Sequence, residues 1–118
     1  MAKYLHSFVI PVPRKNMKAY LKMAKATAKL WKRHGAIEYV ESLADYAPKG
    51  KVTSFPRSVK LKTGEAVVLA YASFKSRAHC ERAMKKMMKD PQVQTLWEDL
   101  PFDGMRMIFG GFKVIVDV

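Results

Sequence analysis

Residues 65–74 read Glu65-Ala66-Val67-Val68-Leu69-Ala70-Tyr71-Ala72-Ser73-Phe74. Valine, leucine and aromatic residues in a run of this length favour a β-strand. Side chains alternate along a strand, so Val67, Leu69 and Tyr71 point one way and Ala66, Val68, Ala70 and Phe74 the other. Neither set is polar. A sheet with one wet face carries apolar–polar alternation, so this stretch predicts a strand buried on both sides.

The flanking segments supply the rest of the architecture. Tyr4 to Val12 and Ala36 to Ala44 read as strands, the second with Ile37, Tyr39 and Leu43 on one face. Between them Met17, Tyr20, Leu21, Ala24, Ala28 and Trp31 recur at helical spacing, with Asn16 a candidate N-cap and His34-Gly35 the stop. Residues 45–63 form a long basic connection in which Ser54-Phe55-Pro56-Arg57 starts one short helical turn. Ser76 opens a second helix whose buried stripe is predicted as Cys80, Ala83, Met84, Met87 and Met88. Asp90-Pro91 starts a further short helix before a last strand, Met105 to Val116, which Gly110-Gly111 interrupts by a bulge or a close backbone approach. The order is βαββαβ with an extra short helix before the last strand, an α+β ferredoxin-like sandwich. At 118 residues this is one domain, 1–118.

The last strand repeats the two-faced pattern, Met105, Met107, Phe109 and Ile115 opposing Ile108, Phe112, Val114 and Val116. Two helices cover one face of a four-stranded sheet. A second copy of the same sheet is the simplest cover for the other, which predicts a homodimer closing into a dimeric α/β barrel.

Several segments together carry a family resemblance: Phe8-Val9-Ile10-Pro11-Val12-Pro13, His34-Gly35-Ala36-Ile37-Glu38-Tyr39-Val40-Glu41, Thr53-Ser54-Phe55-Pro56-Arg57, Ser76-Arg77-Ala78-His79, and Pro101-Phe102-Asp103-Gly104 with Gly110-Gly111-Phe112. Over essentially its whole length the chain resembles the YbaA-like family (domain of unknown function 1428), small bacterial proteins with a dimeric α/β-barrel fold. The resemblance implies the fold and the dimer, and no catalytic residues come with it. His6-Ser7 departs from the acidic residue and glycine expected there in relatives. The wider superfamily includes cofactor-free monooxygenases, haem-degrading enzymes and small isomerases, among which fold analogy does not choose.

Composition narrows the chemistry. Cys80 is the sole cysteine, so no intrachain disulfide forms and a stapled secreted fold is excluded. No apolar run approaches the ~20 residues of a bilayer span, and no signal-peptide core precedes a cleavage site, which leads to the expectation of a cytoplasmic protein without membrane contact. His6, His34 and His79 show no metal-ligand spacing, and Cys80 sits on a buried stripe, so neither a metal nor a nucleophilic thiol is expected. Glycine loops for nucleotides and the Gly-x-Ser-x-Gly elbow are absent from the sequence, and no cofactor is expected.

Two functional readings remain. The first is a pocket between sheet and helices that binds or transforms a small apolar or anionic ligand without a metal. Its candidate residues are Tyr4, His6, Tyr39 and Tyr71 on strands, with Ser54, Arg57, Asp103 and Arg106 in loops. Glu38, Glu41 and Thr53 are also placed to contribute. His6 is the natural acid–base candidate, titrating near neutrality, and an arginine suits a carboxylate or phosphate. The second reading follows from the net charge of +12. Lys18, Lys22, Lys25 and Lys29 step by three and four along the first helix, and no acid lies between Arg14 and Gly35. Such a face can follow nucleic-acid phosphates. A lysine stripe without aromatics is also an ordinary solvated helix face.

Overall fold

The computed structural model describes residues 3–118. Its first strand, β1 (Tyr4–Pro13), buries Ile10 and Val12. A single 3-10 turn, Arg14–Asn16, leads into α1 (Met17–Arg33), which buries Tyr20, Ala24, Thr27, Leu30 and Trp31 at steps of three and four. Leu21, expected on that stripe, is half exposed, because successive helical residues diverge by about 100° and Tyr20 already faces the sheet. Asn16 does not cap α1. Its side-chain amide donates instead to the Pro101 carbonyl at 3.0 Å, fastening the turn that precedes the last strand. Gly35 ends the helix at φ +118°, a conformation that side chains disfavour.

The second strand, β2 (Glu38–Leu43), is shorter than Ala36–Ala44. Within the long connection α2 (Phe55–Ser58) is capped by Ser54 Oγ, which accepts from the Arg57 amide at 3.0 Å. Next come β3 (Glu65–Phe74), α3 (Arg77–Lys89) and α4 (Pro91–Leu96). Cys80, Ala83 and Met87 are buried, whereas Met88 turns outward and is 64% exposed. The last strand, β4, spans Ile108–Lys113 rather than Met105–Val116. Asp103 accepts from the Met105 amide and from Arg106, which bends the chain before β4. Pairing with β1 ends where Tyr4 faces Lys113. Gly110 and Gly111 sit in register against Ser7 and His6, without a bulge.

All strand pairs are antiparallel and the sheet order is β2-β3-β1-β4. Ala72 and Phe74 of β3 pack with Trp31, Cys80, Met87 and Val93, and Ile10, Val12, Val68 and Ala70 pack with Tyr20 and Ala24. One sheet face is thus roofed by α1, α3 and α4. On the other, Val9 lies between Leu69 and Ile108, and Leu5 faces Phe112. Leu69, Ile108 and Phe112 are 43%, 44% and 59% exposed in the single chain.

Candidate functional site

A cavity of about 150 Å³ lies between α1 and the roofed face of the sheet. Phe8 and Ile10 of β1 with Tyr39 and Glu41 of β2 form its floor. Tyr20, Met23, Thr27 and Trp31 of α1 form one wall. Trp97, Leu100, Phe102 and Met107, from the irregular segment before β4, close the other. Trp97 is held there by its indole N–H, which donates to Thr27 Oγ1 at 3.2 Å.

The charge in this apolar space belongs to Glu41. Tyr39 and Glu41 are two residues apart on a strand and therefore share a face. The Tyr39 hydroxyl donates to Glu41 Oε2 at 2.7 Å, and the Tyr20 hydroxyl, arriving from α1, donates to Oε1. Burial first, and then the Glu41 carboxylate, push both phenols well above the ordinary tyrosine range. They stay protonated donors at any physiological pH. A carboxylate offers about four acceptor positions, so each Glu41 oxygen keeps room for one more donor. Trp31 stacks over Tyr39 with ring centroids 6.4 Å apart, and Phe102 meets Tyr20 edge-on at 5.7 Å.

Of the strand and loop candidates, the structure brings Tyr39 and Glu41 to this cavity. His6 is buried next to it without lining it, edge-on to Phe8 at 4.7 Å and 6.0 Å from Trp31. Burial lowers its pKa below the usual imidazole value, so the ring is neutral at pH 7. Tyr71 lies on the opposite sheet face, its hydroxyl 3.5 Å from Glu38, and Tyr4 stands at the sheet end beside Gly111. Ser54 caps α2, and Arg57 donates to the Lys49 and Gly50 carbonyls. Arg106 makes a two-pronged pair with Glu65 at 2.8 and 2.6 Å and binds Asp103 at 2.9 Å. His34 meets Asp90 at 2.6 Å, tying the end of α1 to the cap of α4. Lys18, Lys22, Lys25 and Lys29 are all exposed on α1. Among the described residues no three His, Cys, Asp or Glu side chains are placed to hold a metal, and no helix is long and apolar enough to cross a membrane.

The sequence reading missed Tyr20, Trp97, Phe102 and Met107 as cavity residues. Tyr20 carried the helix period and so read as core. The signal for the carboxylate was present in Tyr39-x-Glu41, an acid on the same strand face as an aromatic residue.

The architecture and the cavity define a ferredoxin-like α+β protein with an internal chamber built around one carboxylate. The chain belongs to the family described as "Protein of unknown function (DUF1428)", which matches residues 3–104. It is 43% identical over 115 residues to the "Uncharacterized protein YbaA" of Escherichia coli (strain K12), covering 98% of each chain, and equally so to that of Shigella flexneri. In three dimensions it is similar to a dimeric ferredoxin-like protein from an uncultured marine organism, with a TM-score of 0.57 at 16% identity over 98% of this chain and 99% of that one. That likeness shows the fold.

Proposed function

We propose that the chain acts as a homodimeric small-molecule binder whose ligand enters the Glu41 cavity. The observation that carries this reading is a carboxylate with open acceptor positions in an otherwise apolar chamber. An apolar void of this size holds about one six-membered ring. Glu41 calls for an O–H or N–H donor on that ring and repels an anion. Arg57 and Arg106, the groups suited to an anion, are engaged elsewhere. The proposed ligand is therefore a neutral or cationic ring with one donor. Homodimerisation is supported by the exposed apolar side chains of the unroofed sheet face and by the dimeric state of the structurally similar marine protein.

Thermal melting of the full chain with phenol, benzylamine and benzoate tests the ligand. Phenol or benzylamine is expected to raise Tm and benzoate to leave it unchanged. Equal stabilisation by benzoate, or none by any donor-bearing ring, overturns the reading. Sedimentation at micromolar concentration tests the dimer. A monomeric wild type refutes it, and L69K is expected to dissociate it.

A second reading, association with nucleic acid along α1, is favoured by the exposure of Lys18, Lys22, Lys25 and Lys29 and by the lack of any acid on that helix. It requires retardation of DNA or RNA that disappears with moderate salt and weakens in K22E and K25E.

A further inference from the structure

Tyr4 and Gly111 have no part in the Glu41 cavity, yet their placement is specific. A Cβ added at Gly111 would fall on the Tyr4 hydroxyl and 2.8 Å from its Cζ. Only glycine on β4 lets the phenol ring of β1 cross over the neighbouring backbone. The Tyr4 hydroxyl has no hydrogen-bond partner among the described residues. Tyr4 and Gly111 line a recess of about 520 Å³ together with Lys3, Lys75, Ser76, Arg77 and Lys113.

Register is what gathers these cations. Tyr4 faces Phe74 on one side and Lys113 on the other, and the Lys3 amide donates to the Phe74 carbonyl. Lys3, Lys75 and Lys113 therefore sit at the same end of three adjacent strands. Continuing the Tyr4–Phe74 register sets Lys3 opposite Lys75, and like charges directly opposite destabilise a sheet. Arg77 pairs with Glu81 one turn along α3, but none of the three lysines has a carboxylate partner among the described residues, and no carboxylate lines the recess. An anion placed there would relieve this repulsion and accept the unused phenol proton.

We propose that this sheet end binds a phosphate group, free or as a monoester, through Lys3, Lys75 and Lys113, with the Tyr4 hydroxyl as the neutral donor. The site is separate from the Glu41 cavity and independent of what that cavity holds.

Calorimetric titration of the full chain with inorganic phosphate and with phenyl phosphate, at ionic strength held constant with chloride, tests it. Saturable binding is expected, and a preference between the two probes distinguishes the free ion from the ester. K113E and K75E are expected to weaken it by about tenfold or more and Y4F by about ten- to a hundredfold, the loss of one hydrogen bond to a charged group. G111A, which displaces the ring, should behave like Y4F. K25E should bind phosphate like the wild type. The proposal is overturned if K25E weakens binding as much as K113E, if Y4F has no effect, or if no saturable heat is seen with either probe. Y4F removes a single oxygen, so its result does not hinge on refolding.

Discussion

Removing the acceptor at position 41 is the sharpest perturbation of the site. Two buried phenols, Tyr20 and Tyr39, donate to the same carboxylate. Glu41→Leu takes the acceptor from both. A buried polar group left without a partner costs about 1–3 kcal/mol, so losing two partners predicts a loss of about 2–6 kcal/mol. A domain of ordinary stability, about 5–15 kcal/mol, then survives or is close to unfolded. Glu41→Gln keeps one carbonyl oxygen for one phenol and turns an N–H₂ toward the other, exchanging a charge-assisted bond for a neutral one at a cost of about 1–2 kcal/mol. Urea unfolding followed by tryptophan fluorescence, with a common slope for the three proteins, reads these differences directly. The same pair sets an alkaline limit. Both phenols have their pKa values raised in the folded chain, so their contribution is complete below the unfolded value of 10.0 and is lost as pH rises beyond it. Absorbance titration should show these two of the five tyrosines ionising only on unfolding. If E41L lost no more stability than E41Q, the carboxylate would not be the acceptor that organises the cavity.

Two further outcomes test how the elements are joined. Asp90 is held below the ordinary aspartate range first by His34 and then by the Gln92 amide, so its contribution is present above the unfolded value of 3.8 and fades as pH falls through the lower folded value. D90N keeps the cap on α4 and removes the charge, so its Tm should lie below wild type at pH 7 and converge with it under strongly acidic conditions; parallel Tm–pH curves would refute the role of the pair. At Gly35, where φ is +118° and an added Cβ comes within 3.3 Å of His79, G35A should cost about 1–2 kcal/mol from the disfavoured backbone geometry, and an unchanged urea midpoint would contradict that placement.

Periodicity made most of the fold legible, and the same logic explains its errors. Tyr20 and Leu21, or Met87 and Met88, cannot both face the sheet, and hydropathy alone does not say which of two adjacent apolar residues turns outward. The long apolar run after Met105 read as one strand because nothing local announces that Asp103 and Arg106 bend the chain first. The cavity was less accessible. Strand parity places Glu41 beside Tyr39, but the depth of a chamber is set by the segment from Trp97 to Met107, which has no regular period. Arg57 and Arg106 showed the limit most plainly: a guanidinium suited to an anion is equally suited to loop carbonyls or to Glu65, and only three-dimensional placement decides between them.

The same competition for partners explains where the net charge of +12 comes to rest. Glu65 and Asp103 are taken by Arg106, Asp90 by His34, Glu81 by Arg77 and Glu41 by two phenols. Many of the chain's few acids are thus already partnered, and the lysines are left unneutralised at the periphery. On α1 they project into water along the helix, where screening separates charges that lie beyond about 8–10 Å, so that stripe attracts polyanions diffusely. At the sheet end the register brings the ends of three strands together, and Lys3, Lys75 and Lys113 line one recess with the Tyr4 ring. Equal charges therefore differ in consequence by geometry alone, and the place to look for selective anion binding is the end of the sheet rather than the more heavily charged helix.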